Sequence, residues 1–111
     1  MNSHDISPLK ALDFIRDNAE KYAIAKANVV YTTEYRKTIK AKLMVSCLEK
    51  TESAKESYAY SHPEYILHLK ALQAAVEECE RLRWLLIAAE AKIEVWRSLE
   101  SSARQEIKSA A

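Results

Sequence analysis

The chain contains no glycine. Glycine supplies the positive-φ backbone of tight hairpin turns, and the bare backbone that phosphate-cradling loops and nucleophile elbows need. Phosphate-loop and dinucleotide-loop enzymes are therefore excluded. Proline is nearly absent too: Pro8 and Pro63 are the only two, so two long stretches carry nothing that breaks a helix. Cysteine is limited to Cys47 and Cys79, with no CxxC or Cys/His spacing, a pattern of reduced structural thiols rather than a metal centre or disulfide framework. The start, Met-Asn-Ser-His-Asp, has no basic segment and no apolar leader, and no run of about eighteen apolar residues follows. Secretion and membrane spanning lack support, and a cytoplasmic address is expected. An excess of one charge is also missing: 17 Lys and Arg stand against 16 Asp and Glu, net +1. The whole molecule thus exerts no strong pull on nucleic acid or anionic membrane, and any such pull must be local.

What is present is helical material. Of 111 residues, 49% are hydrophobic and 30% charged, the composition of long helices and coiled coils. A chain of this length makes one domain, and a monomer buries only about two-thirds of its unfolded surface. No interdomain catalytic cleft is expected.

The expected fold is all-α: a long antiparallel hairpin of two helices, assembling into a four-helix bundle or a higher oligomer. Ser7-Pro8 reads as an N-cap followed by proline at the first helical position, where its missing N–H costs nothing. The domain layout is then a tail over 1–7, a helix over 8–50, a turn over 51–61, a helix over 62–108 and a tail over 109–111. The first seam reads Leu12, Ile15, Ala19, Tyr22, Ala25, Val29, Thr32, Ile39, Leu43 and Cys47. The second reads Leu69, Leu72, Val76, Cys79, Leu82, Leu86, Ala89, Ile93, Trp96, Ala103 and Ile107. Ser61 and Glu64 have capping-box spacing, with Tyr60 and Tyr65 where a hydrophobic staple would fall.

Folding about a turn near residue 57 pairs positions whose numbers add to roughly 114 and sets Arg36, Lys37 and Lys40 beside Glu77, Glu78 and Glu80. The same register offsets Cys47 from Cys79 by some twelve positions, ~18 Å along a helix, too far for a bond within one chain.

Three groups of residues are candidates for function. Lys26, Arg36, Lys37, Lys40 and Lys42, with tyrosines interleaved, have the pattern that tracks a phosphate backbone and stacks on bases; equally, they are the solvated partners of the Glu77–Glu80 cluster. Tyr58, Tyr60, His62 and Tyr65 at the helix junction make an aromatic surface for a partner, or simply the staple and cap. Trp84, Leu85, Ala88, Ala91 and Val95 add apolar groups away from the seam, more than one partner helix can cover, and mark an oligomer interface. His62 and His68 beside Glu64 lack the Glu-x-x-His spacing of di-iron bundles, and Glu90 with Glu94 has no nucleophile nearby. No metal, cofactor or catalytic residue is expected, and the chain reads as a non-enzyme.

The stretch Tyr22-Ala-Ile-Ala-Lys-Ala with Tyr35-Arg-Lys, the Tyr58-Ala-Tyr-Ser-His-Pro-Glu-Tyr65 junction and the Glu80–Leu99 run that holds Trp84 and Trp96 resemble small helical proteins encoded by tailed bacteriophages and prophages. The resemblance covers about residues 20–103 of the chain. It implies an early-region product, accessory to recombination or replication, and carries over no catalytic residue. The expected function is an oligomeric binding or scaffold protein whose partners are itself, a phage or host protein and, weakly, single-stranded nucleic acid. The alternative is an inhibitor that docks on a host defence or repair protein.

Overall fold

The computed structural model describes residues 7–110, almost entirely as three helices: α1 (Pro8–Ser46), α2 (Glu52–Ser61) and α3 (Pro63–Ala110). The fold is all-α, a helical hairpin with α1 packed against α3. Residues 1–6 of the expected N-terminal tail, and Ala111 of the C-terminal one, lie outside the described residues.

Local chemistry sets each boundary. Ser7 caps α1: its Oγ accepts from the Lys10 amide at 3.3 Å and its carbonyl from the Ala11 amide at 3.1 Å. α1 stops at Ser46, short of residue 50, without the glycine C-cap that ends many helices. Its last carbonyls are taken by side chains: Ser46 Oγ donates to Leu43 O at 3.0 Å and Cys47 Sγ to Met44 O at 3.3 Å.

The segment expected as a turn over 51–61 is mostly helix. Thr51 sits in extended backbone (φ −97°, ψ 151°), and its side chain accepts from the Ala54 amide at 3.1 Å, which starts α2. Proline disfavours helical backbone in the residue before it, so His62 is extended (φ −70°, ψ 138°) and separates α2 from α3. His62, not Ser61, caps α3: its Nδ1 accepts from the Glu64 amide at 3.1 Å, while Ser61 Oγ donates back to Ser57 O at 2.7 Å. The Tyr60 and Tyr65 rings meet edge to face at 5.2 Å.

The contacts of the described residues group into two compact units, one of Ala23–Glu80 and one of residues 7–22 with residues 81–110. In the first, Ile39, Leu43, Ala59 and Tyr65 form the core cluster, with Tyr35 and Met44 against it. His68 Nε2 lies 2.6 Å from Thr32 O, and the Tyr35 and His68 rings are 5.8 Å apart. Facing positions in this unit therefore have numbers adding to about 100–104, against the roughly 114 expected of a symmetric antiparallel pair. The reason is α2. The end of α1 overshoots the start of α3, and α2 covers the overshoot, placing Ala59 with Ile39 and Leu43 and Glu56 3.5 Å from Lys40. The expected pairing of Arg36, Lys37 and Lys40 with Glu77, Glu78 and Glu80 is corrected accordingly: the cations lie level with about residues 62–68, several turns from the glutamates. Both cysteines are free, and this register separates them by ~36 Å along the helix axis, twice the expected offset.

In the second unit Ala11, Leu82 and Ala89 are buried, with Phe14, Ile15, Asn18, Leu86, Ile93 and Trp96 half-buried. Along each helix the buried and half-buried positions include a run at three- and four-residue steps, through Ala11, Ile15, Asn18, Tyr22 and Ala25 on α1 and Tyr65, His68, Leu72, Ala75 and Cys79 on α3. The expected seam residues Leu12, Ala19, Leu69, Val76, Ala103 and Ile107 are exposed instead. This unit holds about half as many residues of α1 as of α3, and every position over 101–110 is exposed.

The interior is thin. Among the described residues ten apolar ones are buried, five of them alanine, and no large side chain is fully buried. The chain presents 8373 Å² to solvent, where a folded globular monomer of 12.7 kDa presents roughly 6,200 Å². The difference is about 2,200 Å², and any apolar part of it is worth ~25 cal/mol per Å² when a partner covers it.

Candidate functional site

Basic and aromatic side chains from α1, α2 and α3 converge within the Ala23–Glu80 unit. Arg36, Lys37 and Lys40 on α1, Tyr60 on α2 and Tyr65 on α3 line one cleft of about 360 Å³. Residues read separately, as a nucleic-acid stretch and an aromatic tip, thus share one concavity. The cause is the α2–α3 junction, where His62 turns the chain and sets Tyr60 against Tyr65 beside the Arg36–Lys40 turn of α1.

The electrostatics of the cleft are partly compensated. Lys37 Nζ lies 3.0 Å from Glu34, and Lys40 Nζ 3.5 Å from Glu56 and 4.8 Å from the Tyr60 ring centroid. The hydrogen bond to Tyr60 holds the Lys40 ammonium above its ordinary 10.5; desolvation opposes this, and the Glu56 charge adds to it. Half-buried Arg36 has no ion pair or hydrogen bond from its guanidinium to any described residue. Three cations against two glutamates leave the cleft one positive charge. That suits one singly charged oxyanion, gripped by the planar guanidinium.

The remaining candidates separate. Lys42 lies on the other flank of α1, its Nζ 5.8 Å from the Tyr35 ring, which stacks on Tyr31 at 5.6 Å. Lys26 is exposed and does not line the cleft. Tyr58 packs on His62 at 5.5 Å, outside the cleft lining. His68 carries the interhelix bond to Thr32, and no motif in the sequence signals it. The Tyr31–Tyr35 stack follows from its four-residue spacing.

On α3, Trp84, Leu85, Ala88, Ala91 and Val95 are all exposed; Trp84 is 59% exposed, with the Arg83 guanidinium 4.8 Å from its ring. A second groove, about 540 Å³, runs between Glu94, Trp96, Arg97, Glu100 and Arg104. Ser98 and Ser101 also line it, and it contains the Arg97–Glu94 pair at 3.0 Å. No group of three His, Cys, Asp or Glu positioned for a metal occurs among the described residues, and no described helix is long and apolar enough to cross a membrane.

Fold and sites together define an all-α helical hairpin with a cationic, tyrosine-lined cleft and an uncovered apolar stripe. No family model, curated protein or solved structure matches the chain.

Proposed function

We propose that this protein is a non-enzymatic binding or scaffold protein that acts as an oligomer of helical hairpins. The observation that carries the reading is the imbalance between inside and outside. Half of the buried apolar residues are alanine, while Trp84, Leu85, Ile87 and Val95 on one helix remain in water. Large apolar side chains left exposed together mark an interaction surface, and a standard interface takes about 800 Å² from each partner, well within the excess exposed area. The resemblance of the Tyr58–Tyr65 and Trp84–Trp96 stretches to small phage-encoded helical proteins supports an accessory role in recombination or replication, exercised through protein contacts. Static light scattering on the full chain tests the reading: a dimer or larger assembly at micromolar concentration is expected, and a stable monomer refutes it.

The unpartnered Arg36 favours a second activity at the cleft. A guanidinium flanked by two ammoniums and two phenol rings suits one phosphodiester with a neighbouring base. With one net positive charge, this contact is a weak supplement to protein contacts.

A further inference from the structure

The exposed stripe on α3 has an internal symmetry that specifies its partner. Trp84, Ala88, Ala91 and Val95 follow one another at four, three and four residues and are all exposed, whereas Leu82, Leu86, Ala89 and Ile93 of the same turns are buried or half-buried. The stripe is therefore a second coiled-coil seam, pointing away from α1. Reversed end for end, it reads with the same spacing: large, small, small, large.

From this we infer that two copies dock α3 against α3 in antiparallel orientation about a two-fold axis lying between Ala88 and Ala91. The inference rests on the self-association reading above and gives it a surface and an orientation. The axis places Trp84 over the partner's Val95 and Ala88 over the partner's Ala91. The paired alanines let the helix backbones approach closely, and each indole then covers the partner's valine at the rim. Because a two-fold interface uses the same patch twice, one stripe on each chain completes it.

Charge selects the antiparallel arrangement. Within 81–98 the charged residues are Arg81, Arg83, Glu90, Lys92, Glu94 and Arg97. About the proposed axis Arg81, the charge in line with the stripe, lies level with the uncharged Ser98 of the partner. A parallel, in-register pair would set Arg81, which continues the stripe three residues before Trp84, against the partner's Arg81, a like-charge contact at the seam. The parallel pair would also set Trp84 against the partner's Trp84 and leave Val95 to face valine, wasting the match of large with small.

The experiment uses the full chain with Cys47→Ser and Cys79→Ala, the latter tolerated by a seam that already carries alanine at Ala75 and Ala89. Two forms are made, one with Ala88→Cys and one with Ala91→Cys, and oxidised separately and mixed. A disulfide needs Cα atoms within about 7 Å, so the mixture is expected to cross-link several-fold faster than either form alone. Faster cross-linking of Ala88→Cys with itself would mean a parallel pair or an axis through Ala88, and either overturns the inference. A third form, Ala91→Arg, changes an exposed position and should keep its helicity by circular dichroism while becoming monomeric. A dimer that survives Ala91→Arg would overturn the inference while leaving self-association intact, whereas a monomeric parent chain would overturn both.

Discussion

His68 Nε2 lies 2.6 Å from the backbone carbonyl oxygen of Thr32, a bond between residues 36 apart in sequence that joins α3 to α1. A carbonyl only accepts, so Nε2 carries the proton and donates. Thr32 O lies well inside α1, where its other lone pair serves the helix, so loss of the imidazole orphans nothing. His68→Leu, which keeps the volume, should therefore cost less than about 1 kcal/mol in urea denaturation, while His68→Ala, which leaves a gap beneath Tyr35, should cost about 2 kcal/mol. Equal costs would show that the bond, rather than the packing, holds this layer.

The register set by that bond makes a prediction about charge. Lys40 answers Glu56 on α2, not the acidic cluster of α3. Lys40→Glu should lower the melting temperature, and Glu56→Lys in the same chain should restore part of the loss; Glu77→Lys should restore none. Rescue by Glu77→Lys would reinstate the symmetric hairpin.

Lys40 also gives the fold an alkaline limit. Its ammonium is raised above 10.5 by the Tyr60 hydrogen bond foremost, and then by Glu56. A group whose folded value is raised contributes stability that is whole below the unfolded value and is lost as pH rises through the folded one. The stability gap between wild type and Lys40→Met should accordingly stay constant up to about pH 10 and close above it. A gap unchanged at higher pH would mean that Lys40 acts through its alkyl stem alone.

Much of this architecture was legible in the sequence, and the failures have a common physical source. Two long helices without breakers, the Ser7-Pro8 start and the Tyr60–Tyr65 contact all follow from local chemistry. The seam at Leu12, Ala19, Leu69 and Val76 did not survive, because hydrophobicity favours the larger apolar residue, whereas a continuous heptad from Ala25 and Cys79 passes through Ala11, Asn18, His68 and Ala75. Small residues at a close helix crossing carry little hydrophobic signal. The register failed for a related reason: α2 is polar over Glu52–Ser57 and contributes only Ala59 to the buried interior, so nothing in its composition distinguished a covering helix from a loop. The cleft was out of reach once α2 was missed, since Tyr60 reaches Lys40 only by way of it.

Because α2 is ten residues long, it is too short to persist without tertiary contacts. Its anchors are Ala59 in the core and the Thr51 cap. Thr51→Ala should remove about 1 kcal/mol of its stability, and Ala59→Leu should overpack the Ile39–Leu43–Tyr65 cluster by about 1–3 kcal/mol. In hydrogen exchange, the α2 amides should lose protection before those of α1 over 25–43 in both variants. Simultaneous loss of protection in all three helices would show that α2 is integral to the hairpin rather than a cover laid on it.

The cleft prediction turns on salt. If one phosphodiester sits on Arg36 with Lys37 and Lys40 beside it, roughly one to three counterions leave per bound site, and the logarithm of affinity for a short single strand should fall with log salt at a slope between about −0.7 and −2. Arg36→Ala should abolish the binding, and Tyr60→Ala should weaken it by roughly ten-fold or more through lost stacking. Lys42→Ala, on the opposite flank of α1, should change it little. Melting should move little with Arg36→Ala, because this guanidinium has no partner among the described residues to lose. Fluorescence anisotropy with a labelled oligothymidylate, repeated with an acidic peptide of equal charge, separates the outcomes. Equal affinity for the peptide, or a salt slope unaffected by Arg36→Ala, would show a diffuse attraction to many cations and no site at the cleft.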